Sequence, residues 1–267
     1  IIVDFGSQTT KLIAKQIRKL NVFCEIIPYH KFDNCYLEYQ GIILSGSPGY
    51  ITDLNNAEYL KLKDLIQKSK IPILGICFGA QLIASYYGAQ IKACNKREFG
   101  RTEIYINQLD TIVENIPTQK FDVWMSHNQN IDIGLNSMEN EMENELLQLI
   151  SLTKNDVVSI FKVKNRNIYG LQFHPEVFHT QYGSQIFDNF VKISKCHRNW
   201  FPGNIVNKLV ENIKTSVGNN KVIMAVSGGV DSSVAATLIH KAIGNNLICI
   251  FVDNGLLRYK EVENIMN

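Results

Sequence analysis

Short apolar runs alternate with helix-length amphipathic segments along the first part of the chain, and the runs end in turns of small or polar residues. Ile1-Ile2-Val3 stops at Asp4-Phe5-Gly6-Ser7-Gln8, Gly41-Ile42-Ile43-Leu44 stops at Ser45-Gly46-Ser47-Pro48-Gly49, and the run 71–76 stops at Gly75 to Gly79. A further β-type run covers 22–27, while 9–20 and 57–68 carry helical spacing. Strand and helix in alternation predict an α/β fold with an open, mainly parallel sheet. Ligands of such sheets gather at the carboxyl ends of the strands, so the three turns are expected to surround one pocket. Strands at 157–163 and 168–173 and a helix at 182–194 complete a first domain, 1–195.

The remaining chain reads as the start of a second α/β domain. Residues 196–204, with Trp200, Pro202 and Gly203, form a linker. A helix at 205–216, a strand at 221–226, a helix at 232–243 and a strand at 247–252 follow. Two strands are too few for a stable open sheet, so 205–267 is expected to be the N-terminal part of an incomplete nucleotide-binding domain. Residues 128–150 turn polar and acidic and read as a solvated insertion or surface helix.

Charge narrows the class of ligand. A net charge of +2 gives no broad basic field, which argues against nucleic acid or a membrane surface and for small-molecule substrates. No apolar run reaches the roughly 18 residues that span a bilayer. The six cysteines, at 24, 35, 77, 94, 196 and 249, show neither CxxC pairing nor metal-ligand spacing. They read as reduced thiols of a cytoplasmic protein, and no residue is assigned to a metal.

One cysteine stands apart. In Gly75-Ile76-Cys77-Phe78-Gly79 the glycines permit a sharp strand-to-helix reversal that projects the central side chain from the sheet. The helix N-terminus favours a thiolate there. The Phe78 N–H, and a second near Gly46, can serve a developing oxyanion. Taken alone, the motif also fits a small buried residue between packed glycines. His174-Pro175-Glu176, at the end of a later strand, supplies a base and a carboxylate to orient it. The other histidines lack such a partner and read as surface or packing residues.

The run Gly75 to Leu82 with His174-Pro175-Glu176-Val177 resembles the class I (triad) glutamine amidotransferases. The resemblance implies that Cys77 attacks the side-chain amide of glutamine, His174 acts as base and then acid, Glu176 orients it, and Gln81 contacts the substrate. Ser47 stands where the family has the second glycine of a Gly-Gly-Pro turn. Asn128-Gln129 follows Ser126-His127 where the family has Gly-Asp, which leaves the ligand of the glutamine amino group unassigned.

A second motif, Ser227-Gly228-Gly229-Val230-Asp231-Ser232, lies between a strand and a helix and lacks the lysine of a Walker A loop. Its successive N–H groups and hydroxyls can converge on an anion, although a plain turn has the same composition. It resembles the pyrophosphate loop of the N-type ATP pyrophosphatases, implying ATP binding by Ser227, Gly228, Gly229, Val230, Asp231, Ser232 and Val252, with Mg2+ carried as MgATP. The two motifs in series are similar to the glutamine-dependent ligases that adenylate and aminate XMP. Arg97-Glu98-Phe99-Gly100, Trp124-Met125-Ser126-His127 and Val252-Asp253-Asn254-Gly255-Leu256-Leu257-Arg258 extend that likeness. It implies a homodimer built through a C-terminal region outside this sequence. Another glutamine-dependent ATP-pyrophosphatase ligase, similar to NAD synthetases, and a non-catalytic binding module are the alternatives.

Overall fold

A computed structural model describes residues 1–32, 37–51, 57–134 and 146–253, without the side chains of 94–97, 202 and 204. Residues 135–145 of the acidic segment, the Arg97 side chain, and 254–258 of the last motif therefore lie outside what is described. The chain divides into two compact units, Ile1–Asn199 and Trp200–Asn267.

The first unit is built on a nine-stranded sheet. Its elements are β1 (Ile2–Asp4), α1 (Thr10–Lys19), β2 (Ile26–Pro28), β3 (Ile42–Leu44), α2 (Ala57–Lys68), β4 (Ile73–Ile76), α3 (Phe78–Tyr86), β5 (Gln90–Ile106), β6 (Lys120–Asp132), β7 (Leu147–Thr153), β8 (Val158–Val163), β9 (Ile168–Leu171) and α4 (Gly183–Ile193). Strand order is β2-β1-β3-β4-β9-β8-β7-β5-β6. The first five pair in parallel, and from β9 outward the pairing is antiparallel. The expected parallel α/β sheet is thus one half of a mixed sheet.

Strands β3, β4 and β9 are buried along their whole length, as parallel strands covered on both faces must be. Alternate residues feed opposite cores. Ile2, Ile43, Leu74 and Ile76 pack with Ile13 and Ile17 of α1 and Phe187 and Phe190 of α4. Val3, Leu44 and Ile73 pack with Leu62 and Ile66 of α2 and Leu82 and Ile83 of α3. The turns after β1, β3 and β4 are thereby brought to one edge.

The described ends of 128–150 are strand and not insertion, while 135–145 lie outside the described residues. β6 continues to Asp132, and β7 starts at Leu147. Met125, His127 and Ile131 face inward while the residues between them are more exposed, so a half-buried antiparallel strand had the polarity of a loop.

The second unit holds α5 (Pro202–Val217), β10 (Val222–Val226), α6 (Val230–Ile243) and β11 (Leu247–Phe251). β10 and β11 are parallel, with Val226 opposite Phe251. Pro202, read as part of a linker, opens α5 instead, a position where its missing N–H is no loss.

Candidate active site

Gly75 and Gly79 hold the β4–α3 turn. A Cβ on Gly75 would lie 2.5 Å from Gly79 O, and one on Gly79 would lie 2.4 Å from Leu44 O. Between them Cys77 adopts φ 51°, ψ −103°, the left-handed side that non-glycine residues rarely take. Its N–H donates to Leu171 O at 2.7 Å and its carbonyl accepts from Gln81 N–H at 3.0 Å. Sequence reasoning placed Cys77 at this reversal, and the strained φ is the form the reversal takes.

β9 delivers His174. The His174 N–H donates to Trp124 O at 3.0 Å. Thr180 Oγ1 donates to His174 O at 2.6 Å and accepts the Trp124 N–H at 3.0 Å. His174 Nδ1 donates to Glu176 Oε1 at 2.8 Å, which leaves Nε2 for another partner. Burial alone would depress the imidazole pKa, but hydrogen bonds and charge from Cys77 and Glu176 outweigh it and raise the pKa to about 10. Glu176 is itself buried. Cys77, His174 and Glu176 therefore stand together as a thiol, an imidazole and an orienting carboxylate, an arrangement that can perform acyl-transfer chemistry.

Gly46 lies against this line. A Cβ there would meet His174 Cε1 at 3.2 Å, Ser7 Oγ at 3.5 Å and Cys77 Cβ at 3.8 Å. Ser45 pins the turn by accepting Phe5 N–H at 3.0 Å and donating to Gly46 O at 2.8 Å, while Gly79 N–H donates to Ser45 O at 3.1 Å. Phe78 is the first residue of α3, so its N–H has no carbonyl one turn back in the helix.

A cleft of about 170 Å³ opens on Cys77, walled by Ser47, Tyr50, Phe78, Gln81, Phe99, Ser126 and Gln129 among others. Cys77 Sγ contacts Ser126 O at 3.7 Å, and Gln172 Nε2 approaches the sulfur at 3.9 Å. Gln81 is in this wall, its amide nitrogen donating to Gln129 O at 2.9 Å and Gln172 Oε1 at 3.4 Å. Gln129, at the position of the family's Asp, uses Oε1 to accept the Ile51 N–H at 3.1 Å.

His127 is a packing residue, as one of its two readings had it, but with a carboxylate beside it that neither reading included. It lines the cleft and is buried, its Nε2 3.6 Å from Glu98 Oε2. Thr153 Oγ1 and Asn155 Nδ2 donate to Glu98 Oε1 at 3.1 and 2.8 Å. Burial would raise the Glu98 pKa, but the facing His127 imidazole and the hydrogen bonds from Asn155 and Thr153 lower it below the usual value. The sequence carried one signal for this pair, the two motifs that contain it. Thr180 ends the run 174–180 that shared in the resemblance, whereas Thr9, which donates to Glu176 Oε1 at 2.6 Å, had no signal.

In the second unit, the register of β10 with β11 sets the Ser227–Ser232 turn and Val252 at one strand edge. Gly228 has φ 76° and α6 begins at Val230. The Ser227 N–H donates to Ser232 Oγ at 3.3 Å, and Ser232 Oγ and Ser233 Oγ donate to Gly229 O at 3.0 Å each. Among the described residues no group of three or more His, Cys, Asp or Glu forms a metal cluster, and no helix is long and apolar enough to cross a membrane.

The fold, with its strained Cys77 turn at the sheet edge, is that of the glutamine amidotransferases. The chain belongs to the class-I glutamine amidotransferase family, whose model matches residues 1–193, and residues 203–262 match the NAD synthase family model. It is 41% identical over 266 residues to a glutamine-hydrolysing GMP synthase of Porphyromonas gingivalis, covering 100% of this chain and 50% of that protein. It is 43% identical over 270 residues to the enzyme of that name from Cytophaga hutchinsonii, again covering 100% and 50%. The chain thus spans about half the length of the curated relatives it matches. A putative GMP synthase subunit from Thermoplasma acidophilum shares the fold with a TM-score of 0.64 and 34% identity, over 73% of this chain and 92% of that one. A Thermotoga maritima glutamine amidotransferase shares the fold alone, with a TM-score of 0.53 and 20% identity over 73% and 81% of the two chains.

Proposed function

We propose that this chain carries the glutaminase domain, and the beginning of the ATP domain, of a glutamine-hydrolysing GMP synthase. The observation that carries the proposal is Cys77 and the hydrogen-bonded pair His174–Glu176 flanking Gly46 in a chain that also holds the Ser227–Ser232 loop.

Glutamine enters the cleft with its side-chain amide against Cys77. With its pKa raised to about 10, His174 holds the thiol proton on Nε2 before attack, so sulfur bonds to the amide carbon as a thiolate while Glu176 stabilises the imidazolium. The oxyanion accepts from the N–H groups of Gly46 and Phe78. His174 returns the proton to the leaving nitrogen, ammonia departs, and water cleaves the thioester to glutamate. Gln81 contributes through the wall it ties to Gln129. Ser227, Gly228, Gly229, Val230, Asp231, Ser232 and Val252 cradle the ATP phosphates, Mg2+ arriving with the nucleotide. XMP is adenylated and ammonia displaces AMP to give GMP. This requires the part of the protein beyond this chain, which also carries the homodimer contacts, and a cytoplasmic setting follows from the metabolites.

The test is ATP-dependent GMP formation by the full-length protein, with glutamine and free ammonia compared. Cys77→Ala is expected to abolish the glutamine-driven reaction and retain the ammonia-driven one; loss of both, or of neither, refutes the assignment. The match of 203–262 to the NAD synthase model favours a second reading, an NAD-forming ligase. Amidation of nicotinic acid adenine dinucleotide in place of XMP would establish that reading.

A further inference from the structure

Thr9 occupies the N-cap position of α1, where threonine ordinarily turns its hydroxyl to accept an N–H of the first helical turn. It makes no such bond here. Its Oγ1 donates instead to Glu176 Oε1 at 2.6 Å, a contact across 167 residues of sequence. The same oxygen accepts the His174 Nδ1–H at 2.8 Å, while the buried Oε2 has no hydrogen-bond partner among the described residues. One helix start has given up its local cap for the carboxylate of the site.

Proton counting fixes the direction of the chain. A threonine hydroxyl has one hydrogen and an ionised carboxylate only accepts, so that hydrogen lies toward Glu176. Ser7 Oγ, 2.9 Å from Thr9 Oγ1, is therefore the donor in their contact. Ser7 Oγ also accepts the Thr9 N–H at 3.2 Å, and it lies 3.5 Å from where a side chain on Gly46 would begin. Hydroxyls thus run from Ser7 to Thr9 to Glu176, which meets His174 from the other side, each donor polarising the next.

We infer that Thr9 is a positioning residue for glutamine hydrolysis: its hydroxyl holds Glu176 in the rotamer that faces His174, and Ser7 holds Thr9. The inference rests on the roles proposed above for Cys77, His174 and Glu176. Because the Thr9 hydroxyl is committed to Glu176 and reaches Cys77 only through Glu176 and His174, its loss acts on turnover and not on substrate binding.

Steady-state glutamine hydrolysis by the full-length protein tests this, with labelling of Cys77 by a chloroketone glutamine analogue alongside. Thr9→Val keeps the shape and removes the O–H, and is expected to lower kcat about tenfold with KM within about twofold. Thr9→Ser restores the rate. Ser7→Ala lowers kcat about threefold and adds nothing further in the Thr9→Val background, since Ser7 acts through Thr9. Should Thr9→Val not fold, Ser7→Ala and Thr9→Ser test the same relay. An unchanged kcat in Thr9→Val, a loss expressed only in KM, or no rescue by serine overturns the inference. A wild-type protein that neither hydrolyses glutamine nor is labelled overturns the underlying reading instead.

Discussion

One methyl group on Gly79 should disable the site from within the core. A Cβ there would stand 2.4 Å from Leu44 O and 2.7 Å from Leu44 Cβ, where ordinary contact begins near 3.4 Å, so α3 must retreat from β3 by about 1 Å. Leu44 cannot yield, because it is fully buried and paired with Val3 on one side and Gly75 on the other. Overpacking of this kind costs about 1–3 kcal/mol. The Gly79 N–H bond to Ser45 O, 3.1 Å in the native protein, is lost as well, for roughly another 1 kcal/mol. Gly79→Ala is thus expected to destabilise the first unit by about 2–4 kcal/mol in urea unfolding. The same retreat displaces the Phe78 N–H, and under the oxyanion role proposed for it the loss of that donor lowers kcat by about 10²–10³. Gly203→Ala is the control, since its Cβ would meet nothing within 4 Å. A Gly79→Ala protein with wild-type stability and turnover, or an equally damaged Gly203→Ala protein, would refute the reasoning.

Two further perturbations follow from buried charge. His127→Ala strands the Glu98 carboxylate in the core and is expected to destabilise by about 3 kcal/mol, whereas Glu98→Gln in that background recovers much of the loss; equal damage from both would contradict the pairing. Because the Glu98 pKa is lowered on folding, its contribution is present above about pH 4.3 and lost as pH falls through the lower folded value. Glu98→Gln should flatten that acid limb in a stability-versus-pH titration. The His174 pKa is shifted the other way, up to about 10. Its contribution is complete below about pH 6.5 and declines as pH rises through the folded value. A His174→Gln protein whose stability falls as steeply between neutral and alkaline pH as the wild type would contradict the assignment.

The parallel half of the sheet was legible because its strands are apolar on both faces and end in glycine-rich turns. Cys77, Phe78 and Gly46 could be placed together from sequence because strand ends of one sheet share an edge. His174 and Glu176 were found because they are two residues apart behind a strand. The antiparallel half was obscure: Asn128 and Asn130 on β6 are polar because that face of the strand is not core, which in sequence is indistinguishable from a loop. Thr9 was hidden for another reason: it makes its decisive contact with a residue brought near only by the tertiary fold, and a threonine at a helix start has an ordinary local explanation.

The obscure half also sets the distance on which the chemistry depends. Trp124 holds the His174 backbone directly and through Thr180, and Ser126, two residues along β6, presents its carbonyl to Cys77 Sγ. Residues two apart lie on the same face of a strand, about 6–7 Å from each other. A single strand therefore references both the base and the nucleophile. Its register is fixed by the opposite face, where Val123, Met125 and His127 are buried. A slip of one residue would bury Trp124 and Ser126 and expose that row. The weakest point of such a ruler is the irregularity opposite it, between Ala93 and Glu98, where pairing resumes at Glu98 against His127. The buried carboxylate–imidazole pair stands at that first restored position, so the interaction that locks the hairpin after its irregularity also keeps Ser126 and Trp124, and through them Cys77 and His174, in step.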